Sequence, residues 1–378
     1  MTKHRVLHFL WSGDIGGAER AVYQLVRLSA ASGDWDVGVA FGRAEGLYAE
    51  TVRSLGCEVV DMRMRSGADL PRALRAMNRL REFDIHHFHV LEPCQMMAST
   101  RCDQATRVFT QRHGAHQTPD PVGKRVRRSL AGKLLREHFH AVSGNTLHAT
   151  GYAVTRYRLE HLPSQVTYNG IDFSLLTPGR GRAEMRREIH ARPKDLVVGS
   201  SGNFIGLKRF DRLVGLLGAS PDVRVLLVGD GSLRPALEAQ AQALGAADRL
   251  HVTGQVDSVA DYLQAMDIFV LPSTADESFG NAAVEAMAAG IPSAVFSDSP
   301  GLCEHIENGV TGFVVKDQDE LAAVVDRLGG DPDLRSLIGL AGATHVRSKY
   351  TLENMRDAYR RLYETALSRR GPGRTKEG

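Results

Sequence analysis

The sequence predicts an α/β protein with two domains, each a parallel sheet flanked by helices. Short apolar runs typical of buried parallel strands recur along the chain and alternate with segments of helical spacing. The length of 378 residues exceeds what one hydrophobic core usually supports, so two domains are expected. The clearest strand-like runs are residues 6–11, 37–41, 223–228, 250–253 and 268–271.

Turn-forming residues locate the boundary between the two domains. The stretch Thr177-Pro178-Gly179-Arg180-Gly181 is rich in them. It separates an N-terminal domain of residues 1–175 from a second domain of residues 176–351.

The C-terminal part of the chain has a different pattern. Residues 352–368 have the spacing of an amphipathic helix, with Met355, Ala358, Tyr359 and Leu362 on one face. Residues 369–378 are polar and glycine-rich, which predicts a disordered tail.

Composition indicates a globular protein with real cores, since 43% of the residues are hydrophobic and 24% are charged. The net charge is +3, and we expect no nucleic-acid partner. Residues 1–175 carry 23 Lys and Arg against 17 Asp and Glu, a net charge of +6. No apolar run approaches membrane-spanning length and no signal peptide is recognised, so a cytoplasmic location is expected. The scattered cysteines suggest neither a disulfide framework nor a zinc site.

The most informative segment is residues 275–292, in which two carboxylates flank a predicted helix start. Asn281 has the character of an N-cap, and Gly290 ends the helix. Glu277 lies on the loop before the helix, and Glu285 lies in its early part. Amides at a helix start bind anions, and carboxylates accept hydrogen bonds from hydroxyls. The segment therefore predicts a site for a nucleotide diphosphate sugar.

This segment resembles the Glu-x7-Glu signature of the family 4 retaining glycosyltransferases, also called glycosyl transferases group 1. The family has the GT-B architecture, two Rossmann-like parallel-sheet domains facing a deep cleft. The resemblance implies that Glu277 lies beside the donor sugar and that Glu285 holds the nucleotide ribose. It also implies donor contacts from Phe279 and from the backbone of Gly280, Asn281 and Ala282. The 352–368 helix is expected to cross back to the first domain, as in this family.

Residues 202–211 resemble the Gly-Arg-Leu-x-x-x-Lys-Gly segment of the family. Lys208 matches the lysine that neutralises the donor diphosphate, whose charge grows as the sugar bond breaks. The partner arginine is missing, since Asn203 occupies one of its usual places and Arg209 sits where glycine is common. We expect Arg209 or Arg212 to substitute for it.

Two glycine turns complete the donor pocket that the resemblance implies. Gly229 lies in the Gly229-Asp230-Gly231 turn after a buried strand and is expected in the wall of the nucleotide pocket. Gly254 follows the next strand, in a segment expected to pack near the nucleobase.

In the first domain, a glycine-rich loop follows the first strand. Gly16 and Gly17 permit close approach of a ligand to the backbone, and the resemblance places them at the cleft, with Asp14 as an acceptor contact. His113 follows a later strand, and the resemblance places it near the donor sugar, where we expect it to position polar groups and to share in catalysis.

The three histidines His86, His87 and His89 raise the alternative of a metal site. A strand directs His87 and His89 to the same face, but no carboxylate or cysteine lies at a usual zinc spacing, which favours a structural role. The corresponding run of the family is not a metal site. We expect no cofactor and no metal, with the nucleotide diphosphate sugar as co-substrate.

The basic segment 124–136 carries apolar residues at Val126, Leu130 and Leu134. Two interpretations stay open, a peripheral contact with the anionic inner face of the cell membrane and a solvated helix face.

The function predicted is retaining transfer of a sugar from a nucleotide diphosphate sugar to an acceptor hydroxyl, in bacterial polysaccharide or lipid-linked glycan assembly. A soluble natural-product acceptor is an alternative within the same class. A sugar-nucleotide epimerase would turn over without an acceptor. A non-catalytic nucleotide-sugar-binding partner would bind the donor without forming product.

Overall fold

A computed structural model describes residues 3–14, 17–114 and 121–370 and divides the chain into two compact units. Unit 1 comprises Met1–Gly170 and Leu352–Gly378, and unit 2 comprises Ile171–Thr351. The division therefore falls after Gly170 and not after residue 175. The amide of Ile171 donates to the carbonyl of Tyr350 at 2.9 Å, which ties this residue to the second unit.

Unit 1 is a parallel sheet with helices on both faces. Its strands are β1 Arg5–Ser12, β2 Asp36–Arg43, β3 Glu58–Asp61, β4 Ile85–Phe88, β5 Thr106–Gln111, β6 Ala141–Gly144 and β7 Ser164–Val166. Its helices include α1 Gly17–Ser32, α2 Leu47–Ser54, α3 Leu70–Arg75, α4 Met77–Leu80, α5 Pro93–Thr100, α6 Val122–His138 and α7 Leu147–Tyr157. The strand order is β3-β2-β1-β4-β5-β6-β7.

Successive residues of β1 enter two different cores. Leu7 and Phe9 pack on one face of the sheet, whereas Val6 and Leu10 pack on the other, and all four are fully buried. Parallel strands covered by helices on both faces need apolar residues at consecutive positions. This is why the strand-like runs in the sequence are continuous and do not alternate.

Unit 2 repeats the same plan with six strands in the order β10-β9-β8-β11-β12-β13. These strands are β8 Leu196–Ser201, β9 Val223–Val228, β10 Leu250–Val252, β11 Ile268–Leu271, β12 Ser293–Phe296 and β13 Phe313–Val315. The helices are α8 Arg182–Glu188, α9 Phe210–Ala219, α10 Arg234–Ala243, α11 Val259–Leu263, α12 Asn281–Ala288, α13 Pro300–Cys303, α14 Gln318–Gly330 and α15 Pro332–Lys349.

Each sheet contains a point where the strand order reverses. In unit 2, β8 lies between β9 and β11, and in unit 1, β1 lies between β2 and β4. Helices that leave neighbouring strands toward opposite faces open a crevice at the carboxyl ends of these strands. Ligands of open parallel sheets bind in such crevices, so these two edges are the places to look for sites.

The final helix, α16 Leu352–Arg370, belongs to unit 1. Met355, Tyr359 and Leu362 are buried against the sheet, on the face predicted from the sequence. The helix continues through Arg369 and Arg370, beyond the expected end at residue 368, and the predicted disordered tail otherwise lies outside the described residues. Of the helices that the structure describes, none has the length and hydrophobicity needed to span a membrane.

Candidate functional site

The second unit brings Lys208 and Glu277 into direct contact. The Lys208 Nζ lies 2.6 Å from Glu277 Oε2, and the two side chains are only 15% and 16% exposed. Lys208 follows β8 and Glu277 follows β11, the neighbouring strands at the reversal of strand order. The pair therefore stands at the edge where a parallel sheet binds its ligand.

Short-range hydrogen bonds hold the two loops that carry this pair. Residues Gly206–Lys208 form a 3-10 turn, and the amide of Thr274 donates to the carbonyl of Leu207 at 3.0 Å. The amide of Glu277 donates to the carbonyl of Thr274 at 2.9 Å. The loop after β11 is thus bound to the turn that presents Lys208, which fixes the two side chains relative to each other.

Glycines with positive φ line the same edge of the sheet. Gly202 has φ +145°, Gly229 has φ +130° and Gly254 has φ +73°. A Cβ at Gly229 would overlap the carbonyl oxygen of Gly202, and Gly229 and Gly254 form an isolated bridge. Lys208 crosses over Gly202, where its Nζ would lie 3.8 Å from an added Cβ. A side chain at Gly202 would fill the space beside the lysine.

Helix α12 begins one residue earlier than the sequence predicted. Gly280, and not Asn281, is the N-cap, with φ 65° and ψ 61° in the left-handed region, and Asn281 is the first helical residue. A Cβ at Gly280 would overlap Leu302 and would lie 2.8 Å from Leu271 Cδ2. Glycine is required here for both reasons. The first turn, with Asn281 and Ala282, presents backbone amides at the N-terminal end of the helix.

The side chain of Phe279, a residue predicted to contact the donor, is buried inside unit 2. It is 2% exposed, and its ring packs edge-on against His305 and Tyr350. His305 bonds through Nε2 to the Phe279 carbonyl at 2.6 Å and through Nδ1 to the Tyr350 hydroxyl at 2.7 Å. Burial lowers the pKa of His305 to about 4, so this ring is neutral and anchors the residue before Gly280.

Glu285 lies at the fifth position of α12 and is partly exposed, whereas its neighbours Val284 and Ala286 are fully buried. Seven residues separate it from Glu277, so a loop and one helical turn lie between the two carboxylates. The structure thus places both acidic residues on the same loop-and-helix segment of unit 2, as the motif requires.

Neither arginine expected to replace the missing family arginine is available in this structure. Arg209, which has φ 47°, pairs with Asp211 at 2.9 Å. Arg212 forms a bidentate pair with Asp298, at 3.1 and 2.6 Å, and its guanidinium lies over the ring of Phe296. Asn203 is exposed, but it is uncharged. The positive charge expected from an arginine is therefore not supplied by these side chains as they stand.

In the first unit, the predicted residues of the loop after β1 are only partly described. Gly16 lies outside the described residues, and Gly17 is the first residue of α1. Asp14 is exposed, and its amide donates to the Ser12 hydroxyl at 3.4 Å. Asp14 follows the central strand β1, at the reversal of strand order in this sheet.

His113 follows β5 and is exposed, and its carbonyl accepts a hydrogen bond from Gln111 Nε2 at 2.8 Å. It lines a cavity of about 280 Å³ in unit 1, together with Lys124, Arg128 and Tyr152. His113 is therefore accessible to a ligand, and the cavity is rich in cationic groups.

Three histidines form a cluster at the centre of the unit 1 sheet, and one of them, His89, also lines this cavity. His8, His87 and His89 are buried, and their ring nitrogens lie within 4.8 Å of one another. His8 Nδ1 lies 2.9 Å from His89 Nε2, while His87 bonds to Tyr363 and to Thr110. Burial lowers the pKa of His8 to about 3 and holds those of His87 and His89 well below the usual value. The three rings are therefore neutral.

Arg112 turns this cluster into a hydrogen-bond network. Its Nε donates to His89 Nδ1 at 3.0 Å, and its other nitrogens donate to Asn169 at 3.2 Å and to the Tyr359 hydroxyl at 3.0 Å. A guanidinium bonded to His89 disfavours a cation among the rings, so the arrangement fits the structural role predicted for the histidines. Sequence reasoning missed Arg112, although an arginine at the end of a buried strand is itself an unusual signal.

Comparisons with known proteins bear on this geometry. The sequence model of the family described as "Glycosyl transferases group 1" matches residues 181–344, which contain Lys208, Glu277 and α12. This segment of the chain is therefore similar to the glycosyl transferases group 1. The two parallel-sheet units of the chain have the GT-B architecture that the sequence predicted.

Individual relatives agree with this family. The D-inositol 3-phosphate glycosyltransferase of Kribbella flavida is 27% identical, over 94% of this chain and 92% of the relative. The lipopolysaccharide core biosynthesis glycosyltransferase LpsD of Rhizobium meliloti is 30% identical, over 51% of this chain and 55% of the relative. The chain thus spans about half the length of several relatives, including 54% of the D-inositol 3-phosphate glycosyltransferase of Streptomyces scabiei.

A solved structure, Anabaena Alr3699/HepE in complex with UDP, has the same fold. Its TM-score is 0.83 at 20% identity, over 96% of this chain and all of that one. At this identity the likeness concerns the fold alone.

Proposed function

We propose that this protein is a group 1 glycosyltransferase that transfers a hexose, with retention of anomeric configuration, from a nucleoside diphosphate sugar to an acceptor hydroxyl in bacterial glycan or lipid-linked glycan assembly. The observation that carries the proposal is the Lys208–Glu277 pair at the carboxyl edge of the unit 2 sheet, next to the glycine-capped start of α12. Names of relatives point the same way, since they include lipopolysaccharide core and phosphatidylinositol mannoside enzymes.

The reaction breaks the bond between the anomeric carbon and a diphosphate oxygen. Negative charge then grows on the leaving diphosphate, and fixed positive groups that meet it lower the barrier. Lys208 provides an ammonium with three N–H donors, and the first turn of α12 adds backbone amides at the positive end of a helix dipole. We propose that these groups bind the diphosphate without a metal ion.

The two acidic residues divide the remaining contacts to the donor. We propose that Glu277 accepts hydrogen bonds from hydroxyls of the transferred sugar and that Glu285 holds the ribose. Glu277 is suited to this role because the loop contacts described above fix its position while it stays 16% exposed. The glycine edge of Gly229 and Gly254 leaves room for the nucleotide.

We propose that the first unit binds the acceptor, with Asp14 and His113 as polar contacts. The acceptor oxygen forms a bond to the anomeric carbon as the diphosphate leaves, and the acceptor proton passes to an oxygen of that diphosphate. Because the proton has this destination, His113 needs only to orient polar groups.

Helix α6 makes a peripheral membrane contact part of the proposal. Val122, Val126 and Leu130 follow one another at four-residue spacing and are 67%, 63% and 40% exposed. Leu134, which the sequence assigned to this stripe, is instead buried in the core. An exposed apolar stripe flanked by exposed cations such as Arg125 fits an anionic membrane surface, and we propose a cytoplasmic location at its inner face.

A donor panel tests the catalytic proposal. Purified protein is incubated with UDP-glucose, GDP-mannose and other nucleotide sugars, with and without glycan acceptors, and release of the nucleoside diphosphate is followed. Acceptor-stimulated release with a retained anomeric centre by NMR supports transfer. Turnover to an epimerised nucleotide sugar without an acceptor, or binding without turnover of any donor, would contradict it.

Liposome sedimentation tests the membrane contact separately. The Val126→Ser, Leu130→Ser variant should pellet less than wild type with phosphatidylglycerol vesicles, and neither should pellet with phosphatidylcholine alone. Equal pelleting of the variant and the wild type would refute the contact through α6.

A further inference from the structure

A second cavity in the first unit lies at the carboxyl ends of β2 and β3, and none of its lining residues lines the cavity at His113. Its volume is about 430 Å³. β2 ends at Arg43 and β3 ends at Asp61, and both residues line the cavity. This edge adjoins β1, where the strand order reverses, so the position is one at which a parallel sheet binds ligands.

The lining of this cavity is strongly cationic. It contains the four arginines Arg43, Arg63, Arg65 and Arg72, and only two carboxylates, Glu45 and Asp61. Four guanidiniums around one cavity repel one another unless anions lie between them.

The carboxylates near the cavity accept hydrogen bonds mainly from backbone amides. Asp61 Oδ1 accepts from the amides of Ala44 at 3.3 Å and Arg63 at 2.9 Å, and its contact with the Arg63 guanidinium is a long 3.8 Å. Asp69 accepts from the amide of Arg65 at 3.0 Å, and it also lies 3.6 Å from Arg72 Nε, so in the described part of the chain Arg72 is the one arginine of the four with a close carboxylate besides the long Asp61–Arg63 contact. Within the described residues, no carboxylate lies within ion-pair distance of the guanidiniums of Arg43 or Arg65.

Two of the arginines are held in fixed positions by the backbone between them. Arg43 donates from Nε to the carbonyl of Met64 at 3.1 Å and from Nη2 to that of Arg65. Arg72 donates from Nη1 to the carbonyl of Arg63 at 2.6 Å. A guanidinium has five N–H donors, so each keeps donors for a ligand. Cations held in place in this way lose little side-chain entropy on binding.

We propose that this cavity binds a phosphate-bearing group of the acceptor, through the four arginines. Arginine forks match phosphate oxygens in bidentate geometry, and several together bind a doubly charged group. The claim that the bound phosphate belongs to the acceptor rests on the proposed function. The claim that the cavity binds an anion does not depend on it.

Calorimetric titration with inorganic pyrophosphate tests the site directly. Pyrophosphate can also bind at Lys208, so the titration is done in the Lys208→Met background, which leaves the unit 1 cavity intact. The Arg63→Gln, Arg65→Gln change in that background should raise the Kd roughly tenfold or more, since each charge-assisted contact is lost. Among the residues that the structure describes, neither of these side chains donates a hydrogen bond to the backbone, so the fold should be preserved. The matched control Arg53→Gln, Arg75→Gln removes two exposed arginines of α2 and α3 and should leave the Kd unchanged.

A transfer assay then shows what the site recognises. The KM for phosphorylated acceptors should rise in Arg63→Gln, Arg65→Gln while the KM for the donor stays constant. A soluble sugar phosphate and a polyprenyl diphosphate-linked sugar are compared, so that the affected acceptor identifies the source of the phosphate. An unchanged Kd for pyrophosphate in the Arg63→Gln, Arg65→Gln variant would refute the proposed anion site. Binding that depends on them in a protein that transfers no sugar would keep the site and refute the proposed function.

Discussion

Replacing Lys208 by methionine removes one charge and little volume, so it tests the proposed leaving-group stabilisation. The ammonium stands on a loop fixed by backbone bonds and is only 15% exposed. Two unit charges about 4 Å apart interact by about 4 kcal/mol at an effective dielectric of about 20. Loss of one charge-stabilising donor in other enzymes lowers kcat by about 10²–10³, or about 2.7–4 kcal/mol. We therefore expect Lys208→Met to lower kcat at least about 100-fold, with a smaller effect on the KM for the donor.

The assay measures kcat by release of the nucleoside diphosphate at saturating donor and acceptor. Lys194→Met is the matched control, since Lys194 is 68% exposed and pairs only loosely with Asp222, at 3.6 Å. Loss of Lys208 also leaves the Glu277 carboxylate without its cation, which lowers stability. The double variant Lys208→Met, Glu277→Gln should recover the thermal midpoint but not the activity. A Lys208→Met enzyme with kcat within about threefold of wild type would refute the reasoning.

Three further predictions concern the cap, the buried histidine and the metal. Gly280→Ala should lower the free energy of unfolding by about 2 kcal/mol or more in urea, because it combines a left-handed φ with overlap against Leu302. The control Gly290→Ala has φ 81° and no atom within 4 Å of the added Cβ, so it adds only the strain of a left-handed φ. An equal loss of unfolding free energy in both variants would show that the overlap with Leu302 contributes nothing. His305 takes up its proton near pH 6.5 when unfolded but only near pH 4 when folded, so the free energy of unfolding should fall as the pH drops from about 6.5 to about 4. His305→Gln should reduce that slope, by up to about 1.4 kcal/mol per pH unit, and an unchanged slope would exclude this histidine as its source. Because Lys208 is proposed to replace a metal, EDTA should leave the transfer rate unchanged, and a tenfold loss restored by Mg²⁺ would refute metal independence.

The approach of Lys208 to Glu277 could be anticipated because it depends on topology. Both residues follow buried strands, and the carboxyl ends of parallel strands lie at one edge of the sheet. The strands could be recognised in the sequence because helices cover both faces of each sheet, so that consecutive strand residues are apolar. The helix after Gly280 was also readable, apart from its first residue, because Gly and Asn both suit a helix start.

Side-chain partners chosen by tertiary packing could not be read from the sequence. Phe279 lies inside the signature motif, yet its ring faces His305 and Tyr350, which lie far along the chain. Likewise, nothing near Arg112 in the sequence indicates that it bonds to Tyr359, a residue of the last helix. Both contacts join segments separated by whole elements, so local periodicity carries no information about them.

The pairing of the cations in unit 2 has a consequence for the mechanism. Asn203 is neutral, and Arg209 and Arg212 are bound to Asp211 and Asp298. Lys208 differs from these arginines because its partner, Glu277, is itself proposed to bind the donor sugar. A sugar hydroxyl that donates to Glu277 competes with the lysine for the carboxylate, and an incoming phosphate offers the lysine a new anion. Donor binding would thus move the ammonium from the carboxylate to the diphosphate, so that sugar recognition and leaving-group stabilisation depend on the same pair.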